Sequence, residues 1–214
     1  MKKVQIGSMP QMDVGMAEAF NRLRVNLGFC GDKPKTIMIT SSVSEEGKTF
    51  VSMQLWKQLA EVGIPTLLVD CDLKKSQFCS ECNICDTKDV DGMTQYLSGQ
   101  AKLEDVLYET DVPNGYILPA TSFTERLDIL LAGERFAQMV EACKKKFEFV
   151  LIDTPSVDSL PDVMNIATHC DGTLLVVRSA LTSNKVVRDC VQALQYTGTP
   201  VLGIVLNGFG VNNK

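Results

Sequence analysis

The apolar run of residues 36–39 passes directly into Thr40-Ser-Ser-Val-Ser-Glu-Glu-Gly-Lys-Thr49, and a helical pattern follows. A strand that ends in a short loop and opens a helix points free backbone N–H groups and a positive dipole end at one spot, where phosphates are stabilised. Gly47 lets the backbone approach those phosphates, Lys48 can reach the β and γ oxygens, and the Thr49 hydroxyl can coordinate Mg²⁺. Ser42, Val43, Ser44, Glu45 and Glu46 complete the cradle. Ser42 stands where the full pattern G-x-x-x-x-G-K-[ST] has its first glycine, so an ordinary turn that happens to contain Gly-Lys-Thr is the competing explanation.

Two other segments decide between them. Thr66-Leu67-Leu68-Val69-Asp70-Cys71-Asp72 and Phe149-Val150-Leu151-Ile152-Asp153-Thr154-Pro155 are apolar strand patterns that end in acids. In an open parallel sheet the carboxyl ends of the strands line one crevice, which brings Asp70, Asp72 and Asp153 to the phosphate loop. Three carboxylates facing a triphosphate need a hard cation between them, and Mg²⁺ fits. A single strand-end aspartate would be read as a helix cap; three elements in the right order are read as a nucleotide site.

Apolar runs at residues 36–40, 66–70, 116–119, 149–153, 173–177 and 201–207 alternate with helical patterns at 47–62, 133–146, 161–169 and 184–196. The expected fold is therefore α/β, a P-loop NTPase-like parallel sheet with helices on both faces in three α/β/α layers. A chain of 214 residues, 45% hydrophobic, suits one domain over 1–214. Residues 1–13 lack periodicity and are expected to be mobile before a helix around 14–29, so residues 1–30 form an N-terminal arm.

The net charge of −5 argues against a nucleic-acid partner. No secretory pattern follows Met1-Lys2-Lys3, and no apolar run approaches the roughly 20 residues that span a bilayer. With eight cysteines beside a phosphate loop, a reducing, cytoplasmic compartment is expected. Cys79, Cys82 and Cys85 have part of the spacing of an iron–sulfur or zinc site, but no fourth ligand is evident nearby.

Taken with Glu18-Ala-Phe-Asn-Arg-Leu-Arg24, Asp72-Leu-Lys-Lys75, the segment from Gly92 to Gly99 and Gly203-Ile-Val-Leu-Asn207, these motifs resemble the bacterial tyrosine kinases of capsular exopolysaccharide synthesis. The likeness covers nearly the whole chain and is nearest to the free-standing cytoplasmic CpsD/CapB type. It implies transfer of the ATP γ-phosphoryl group to tyrosine. Lys48 would neutralise the transferred group, Thr49, Asp70 and Asp153 would hold Mg²⁺, and Asp70 and Asp72 would serve the acceptor, Asp70 as the leading base. Asn207 resembles the residue that contacts adenine, while a turn asparagine before Gly208 explains it equally well. The likeness also implies tyrosine-bearing protein substrates, a membrane adaptor that recruits the kinase to the inner face of the membrane, and homo-oligomeric rings built through a Glu-x-x-Arg-x-x-Arg helix. Here Glu18 and Arg24 match that motif but Asn21 replaces the first arginine, with Arg22 about 100° around the helix.

Two departures stand out. The family's Pro-Gly-Glu-Gly-Lys loop is Ser44-Glu45-Glu46-Gly47-Lys48 here, so Glu45 is expected to strain the loop and to set a carboxylate near the phosphates. Family members typically end in a tyrosine cluster, whereas no tyrosine follows Tyr196 in this sequence, so the acceptor is expected to be another protein or an upstream tyrosine, unless the kinase activity itself has lapsed. The alternatives kept open are a P-loop ATPase switch of the chromosome- or division-positioning type, an iron–sulfur carrier and a non-catalytic nucleotide-binding subunit. The switch usually carries a second lysine five residues before the first, where this chain has Val43.

Overall fold

A computed structural model describes residues 1–7, 9–31, 34–73, 78–81, 90–122 and 127–208. The chain runs from Lys2–Val4 (β1) through Val14–Gly28 (α1), Thr36–Ser41 (β2) and Lys48–Glu61 (α2) to Thr66–Asp70 (β3). Short elements follow: Phe78–Glu81 (α3), Met93–Leu97 (α4), Leu103–Val106 (α5), Tyr108–Thr110 (β4), Gly115–Leu118 (β5) and Leu127–Leu131 (α6). The last part comprises Glu134–Lys146 (α7), Phe149–Asp153 (β6), Leu160–Ala167 (α8), Gly172–Arg178 (β7), Asn184–Gln195 (α9) and Val201–Asn207 (β8).

Eight strands form one sheet in the order β1-β4-β5-β3-β6-β2-β7-β8. Every residue of β2 and β3 is buried, which explains why these strands read as unbroken apolar runs. Successive side chains go to opposite faces. Met38, Leu67, Val69, Ile152 and Leu175 join the core under α4, α7, α8 and α9; Ile37, Ile39, Leu68, Leu151 and Leu174 join the core under α1 and α2. Helix α2 is sandwiched between the sheet and α1, and the ring nitrogen of its buried Trp56 lies 3.1 Å from the carbonyls of both Thr66 and Tyr116. The expected three-layer α/β/α architecture is thus present.

The sheet is not wholly parallel, because β4 runs antiparallel to β5. The N-terminal arm also departs from expectation: β1 pairs with β4, and the Ile6 N–H donates to Asp111 Oδ1 at 2.9 Å. Both strands were invisible in the sequence for one reason: three residues are too few to show a period-two pattern. Helix α1 does start where its signal lies, with Asp13 Oδ1 accepting the Met16 N–H at 2.8 Å. Among the described residues no helix is long and apolar enough to cross a membrane.

Asp171 anchors the amino end of the central strands. Its Oδ2 accepts the N–H groups of Lys35 at 3.0 Å and Thr36 at 2.9 Å, and its Oδ1 accepts from the Lys144 ammonium. Burial acts to raise the Asp171 carboxyl, but Lys144 and the two amides outweigh it and hold the group below the usual carboxylate range. Asp171→Asn, which keeps one acceptor oxygen and loses the ion pair, is expected to cost about 1–3 kcal/mol of stability at pH 7. A depressed carboxylate stabilises above its unfolded pKa of about 3.9 and loses that contribution as pH falls through the folded value. Denaturant midpoints of wild type and variant should therefore differ at pH 7 and converge below about pH 4.

Candidate active site

The chain moves one way across the sheet from β2 to β3 and the other way from β6 to β7, and the crevice at that reversal carries the site. Residues 42–47 leave the end of β2 there and α2 begins at Lys48. Gly47, the residue before the helix, has φ 88°, and a Cβ built on it would lie 2.2 Å from Asn207 Nδ2. An L side chain there would be strained and would push the Asn207 amide out of place. Asn207, at the end of β8, donates from Nδ2 to the Glu46 carbonyl at 2.9 Å, and its Oδ1 accepts the Gly208 N–H at 2.9 Å. Asn207 is therefore a buttress of the loop as well as a residue at its rim.

Glu46 is fully buried beneath the loop. Its Oε2 accepts the Val43 N–H at 2.9 Å; its Oε1 accepts the Arg178 N–H at 3.0 Å and the Thr182 hydroxyl. The loop is thereby tied to the end of β7 and to the turn before α9. Val43's amide is consumed by that bond, so the free amides of the cradle are those nearer α2. Ser42, in place of the first glycine, is buried, and Cys190 Sγ approaches its carbonyl at 3.9 Å.

Glu45 has φ 65°, the left-handed region, and its side chain is exposed. The strain anticipated at this position is present, and the carboxylate lies at the surface. A left-handed residue with a Cβ costs about 1–2 kcal/mol, against about 0.5–1 kcal/mol for the extra chain entropy of glycine. Glu45→Gly is expected to stabilise the protein by up to about 1 kcal/mol, read as a rise in thermal midpoint. An unchanged or lower midpoint would show that the strain is relieved by contacts of the glutamate itself.

The acids converge on this loop. Asp70 and Asp153 are register partners on neighbouring β3 and β6, each 1% exposed, and the Cys71 N–H donates to the Asp153 carbonyl at 2.8 Å. Asp70 Oδ1 accepts the Asp72 N–H at 3.1 Å, and Lys48 Nζ lies 3.4 Å from Asp72 Oδ2. Burial pushes the Asp153 carboxyl up to about 7; Lys48 opposes this, Asp70 adds to it, and the Thr49 and Ser52 hydroxyls lower it. Ser52 Oγ lies 3.1 Å from Asp153 Oδ1 and 2.9 Å from the Lys48 carbonyl. Among the described residues Asp153 Oδ2 has no hydrogen-bond partner. A buried carboxylate oxygen without a donor, beside a threonine hydroxyl and a second buried carboxylate, is a donor set of the kind a hard divalent cation takes.

The structure thus brings together Lys48, Thr49, Asp70, Asp72, Asp153 and Asn207. Ser52 escaped the sequence reading, although it sits four residues after Lys48 and hence on the same helix face. The role of Glu46 had no local signal, since its partners are 132 and 136 residues away. On α1, Glu18 and Arg22 are exposed, and Arg24 Nη2 donates to Asn21 Oδ1 at 2.6 Å. Cys79 sits near the Ala120 carbonyl at 3.6 Å; Cys82, Cys85, Lys74 and Lys75 lie outside the described residues, as does the segment after Gly208. Among the described residues no group of three or more His, Cys, Asp or Glu side chains could hold a metal ion by itself, so a cation here would also need the Thr49 hydroxyl and a ligand's oxygens.

A phosphate loop at the switch point of such a sheet, with acids on the neighbouring strand ends, defines a P-loop nucleotide-binding protein, and residues 34–197 match the AAA domain family. The relatives narrow this class. The chain is 35% identical over 190 residues to the tyrosine-protein kinase CpsD of Streptococcus agalactiae, covering 89% of this chain and 82% of that protein. Its fold matches the kinase domain of the Escherichia coli tyrosine kinase ETK with TM-score 0.84 and 25% identity, over 90% of this chain and 75% of that one. The septum site-determining protein MinD of Pyrococcus horikoshii, solved with Mg-ADP, is similar at TM-score 0.65 and 27% identity, over 84% and 72% of the two chains. The chain belongs to the CpsD family of bacterial tyrosine-protein kinases.

Proposed function

We propose that this chain transfers the γ-phosphoryl group of ATP to protein tyrosine, in the control of capsular or exopolysaccharide synthesis and export. The observation that carries the proposal is the meeting of Lys48, Asp70, Asp72 and Asp153 around the mouth of the phosphate loop, with one Asp153 oxygen left unpaired. Free amides at the start of α2 and the dipole of that helix bind the β and γ phosphates. Lys48 exchanges Asp72 for phosphate oxygen when ATP enters. Thr49, Asp153 and Asp70 would hold Mg²⁺, which when bound supplies charge neutralisation on the β and γ oxygens. Asp70 accepts the tyrosine proton, and Asp72, once free of Lys48, helps to orient the acceptor. Asn207 holds the loop's shape and flanks the base. Positioning and charge neutralisation do most of the catalytic work.

The partners proposed are a membrane adaptor whose cytoplasmic tail activates the kinase, tyrosine-bearing protein substrates, and further copies of the chain assembled through the exposed face of α1. The test is incubation with Mg²⁺ and γ-labelled ATP, with and without a Glu–Tyr copolymer. Label on tyrosine is expected. Free phosphate alone would favour the ATPase-switch alternative, to which the MinD likeness points more weakly.

A further inference from the structure

We infer that the β8 edge of the sheet is a docking surface for a second copy of this chain, whose own β8 adds to it antiparallel and joins the two sheets into one. This contact is separate from the exposed face of α1, and it stands whether or not the kinase reading does.

The two edges of the sheet are built differently. β1 is three residues long and carries Lys2 and Lys3, whose ammonium groups lie 3.9 Å from Asp91 Oδ2 and 3.8 Å from Glu109 Oε2. A short edge set with lysines resists pairing with another chain. At the other edge β8, Val201-Leu-Gly-Ile-Val-Leu-Asn207, is seven residues long and holds neither a charge nor a proline. Its irregularity, where Val201 and Gly203 pair with Thr173 and Leu174, lies at the start of the strand and leaves residues 203–207 regular. Among the described residues nothing pairs beyond it. A long, uncharged edge is a template for a further strand.

Backbone and side chains agree on what this edge offers. The Ser179 N–H donates to the Asn207 carbonyl at 2.8 Å, so Asn207 turns its backbone groups toward β7. The N–H and C=O of one residue point to the same side of a strand, and successive residues alternate. Val205 therefore also faces β7, while Ile204 and Leu206 present their backbone groups outward. These are the two exposed residues of β8, at 52% and 51%. Their register partners are Leu175 and Val177, which belong to the core that Cys190 and Leu194 of α9 complete. The cover that buries Leu175 and Val177 leaves Ile204 and Leu206 half open.

The strand is its own complement, which selects the occupant. A two-fold axis through Val205, perpendicular to the sheet, sets Ile204 of each copy opposite Leu206 of the other. With outward N–H and C=O groups at both positions, each pair exchanges two hydrogen bonds, about four in all, and paired side chains share a face. Four aliphatic side chains then close over one another beside the two α9 helices, which lie on that same face of the joined sheet. Centring the axis on Ile204 would run into the irregularity at the start of β8, and centring it on Leu206 would oppose Ile204 to Gly208. Because β8 is uncharged, no like charges meet between the strands. Five paired residues a side fall short of the roughly 20–30 of a standard interface, so α9 must contribute area and the dimer is weak, with a Kd of roughly micromolar order. The axis leaves the two phosphate loops at opposite ends of the joined sheet and both α1 faces free.

The test is sedimentation velocity of the full chain over a concentration series spanning the micromolar range, with amide hydrogen exchange read at both ends of the series. Wild type is expected to pass from one chain to two, and the Ile204 and Leu206 amides to become protected as it does. Leu206→Lys, which places on this edge the charge that β1 already carries, should stay a single chain with unchanged circular dichroism. Ile204→Thr keeps the β-branched shape and should weaken association by about tenfold, the worth of two cross-strand pairs. Phe29→Ser, at the 82% exposed residue that ends α1, should dimerise like wild type. A wild type that remains single throughout overturns the inference and leaves the edge for an extended strand of another protein. Association that survives both β8 variants, that disappears in Phe29→Ser, or that leaves the Ile204 and Leu206 amides exchanging as fast as before overturns it as well.

Discussion

Lys48→Met is expected to leave a folded protein whose phosphoryl transfer to tyrosine falls by about 10²–10³-fold, the usual loss on removing one preorganised charge from a water-poor site. Lys48 and Asp72 are each only 14% exposed, and the neighbouring Asp70 and Asp153 are 1% exposed. In such surroundings a cation acts through a low local dielectric, whereas a solvent-screened lysine would be worth roughly 1 kcal/mol, or about five-fold in rate. The size of the loss therefore reports where the ammonium works. A fall of less than about ten-fold, measured with labelled ATP and a Glu–Tyr copolymer, would place Lys48 at the rim and remove it from the reacting group. Methionine keeps most of the side chain's length and packing, so circular dichroism should show the native fold. Removing the cation also leaves Asp72 without this ion pair among buried carboxylates, and the variant should gain more than wild type from added Mg²⁺ in thermal unfolding.

How far the sequence disclosed this arrangement follows from the range of each interaction. The strands β2, β3 and β6 are buried on both faces, so each was visible as a local apolar run, and their terminal acids could be placed on one edge by sheet geometry alone. Lys48, Thr49, Asp70 and Asp153 were legible for that reason. The antiparallel β4 and the short β1 were not, because three residues carry no period and their pairing is a long-range event. Glu45 is an instructive middle case: its strain was legible from the residue that replaces a glycine, but the outward direction of its side chain required the fold. Asn207 could be noted as a turn asparagine or a nucleotide contact, yet its bond to the Glu46 carbonyl spans 161 residues and leaves no local trace.

Glu46 gives the sharpest test of that long-range design, because the sign of the effect separates two accounts. A glutamate in a phosphate loop that faced the nucleotide would repel it, and Glu46→Gln would then tighten ATP binding. The structure requires the opposite. Both carboxylate oxygens act as acceptors, Oε2 for the Val43 N–H and Oε1 for the Arg178 N–H and the Thr182 hydroxyl. Glutamine offers one acceptor oxygen and one donating NH₂, so in either orientation its amide meets a backbone N–H head-on. One buried donor is left unpaired, at a cost of about 1–3 kcal/mol. If the loop must be re-formed before ATP binds, that cost appears as a 5- to 150-fold weaker nucleotide affinity, at about 1.4 kcal/mol per tenfold. Glu46→Ala, which leaves both amides unpaired, should lose at least as much. Thr182→Val should lose less, since Oε1 keeps the Arg178 N–H. Calorimetric titration with Mg·ATP across the three variants reads the order directly. Tighter binding by Glu46→Gln would mean that the carboxylate faces the phosphates and that the tie between the loop and the end of β7 does not hold in solution.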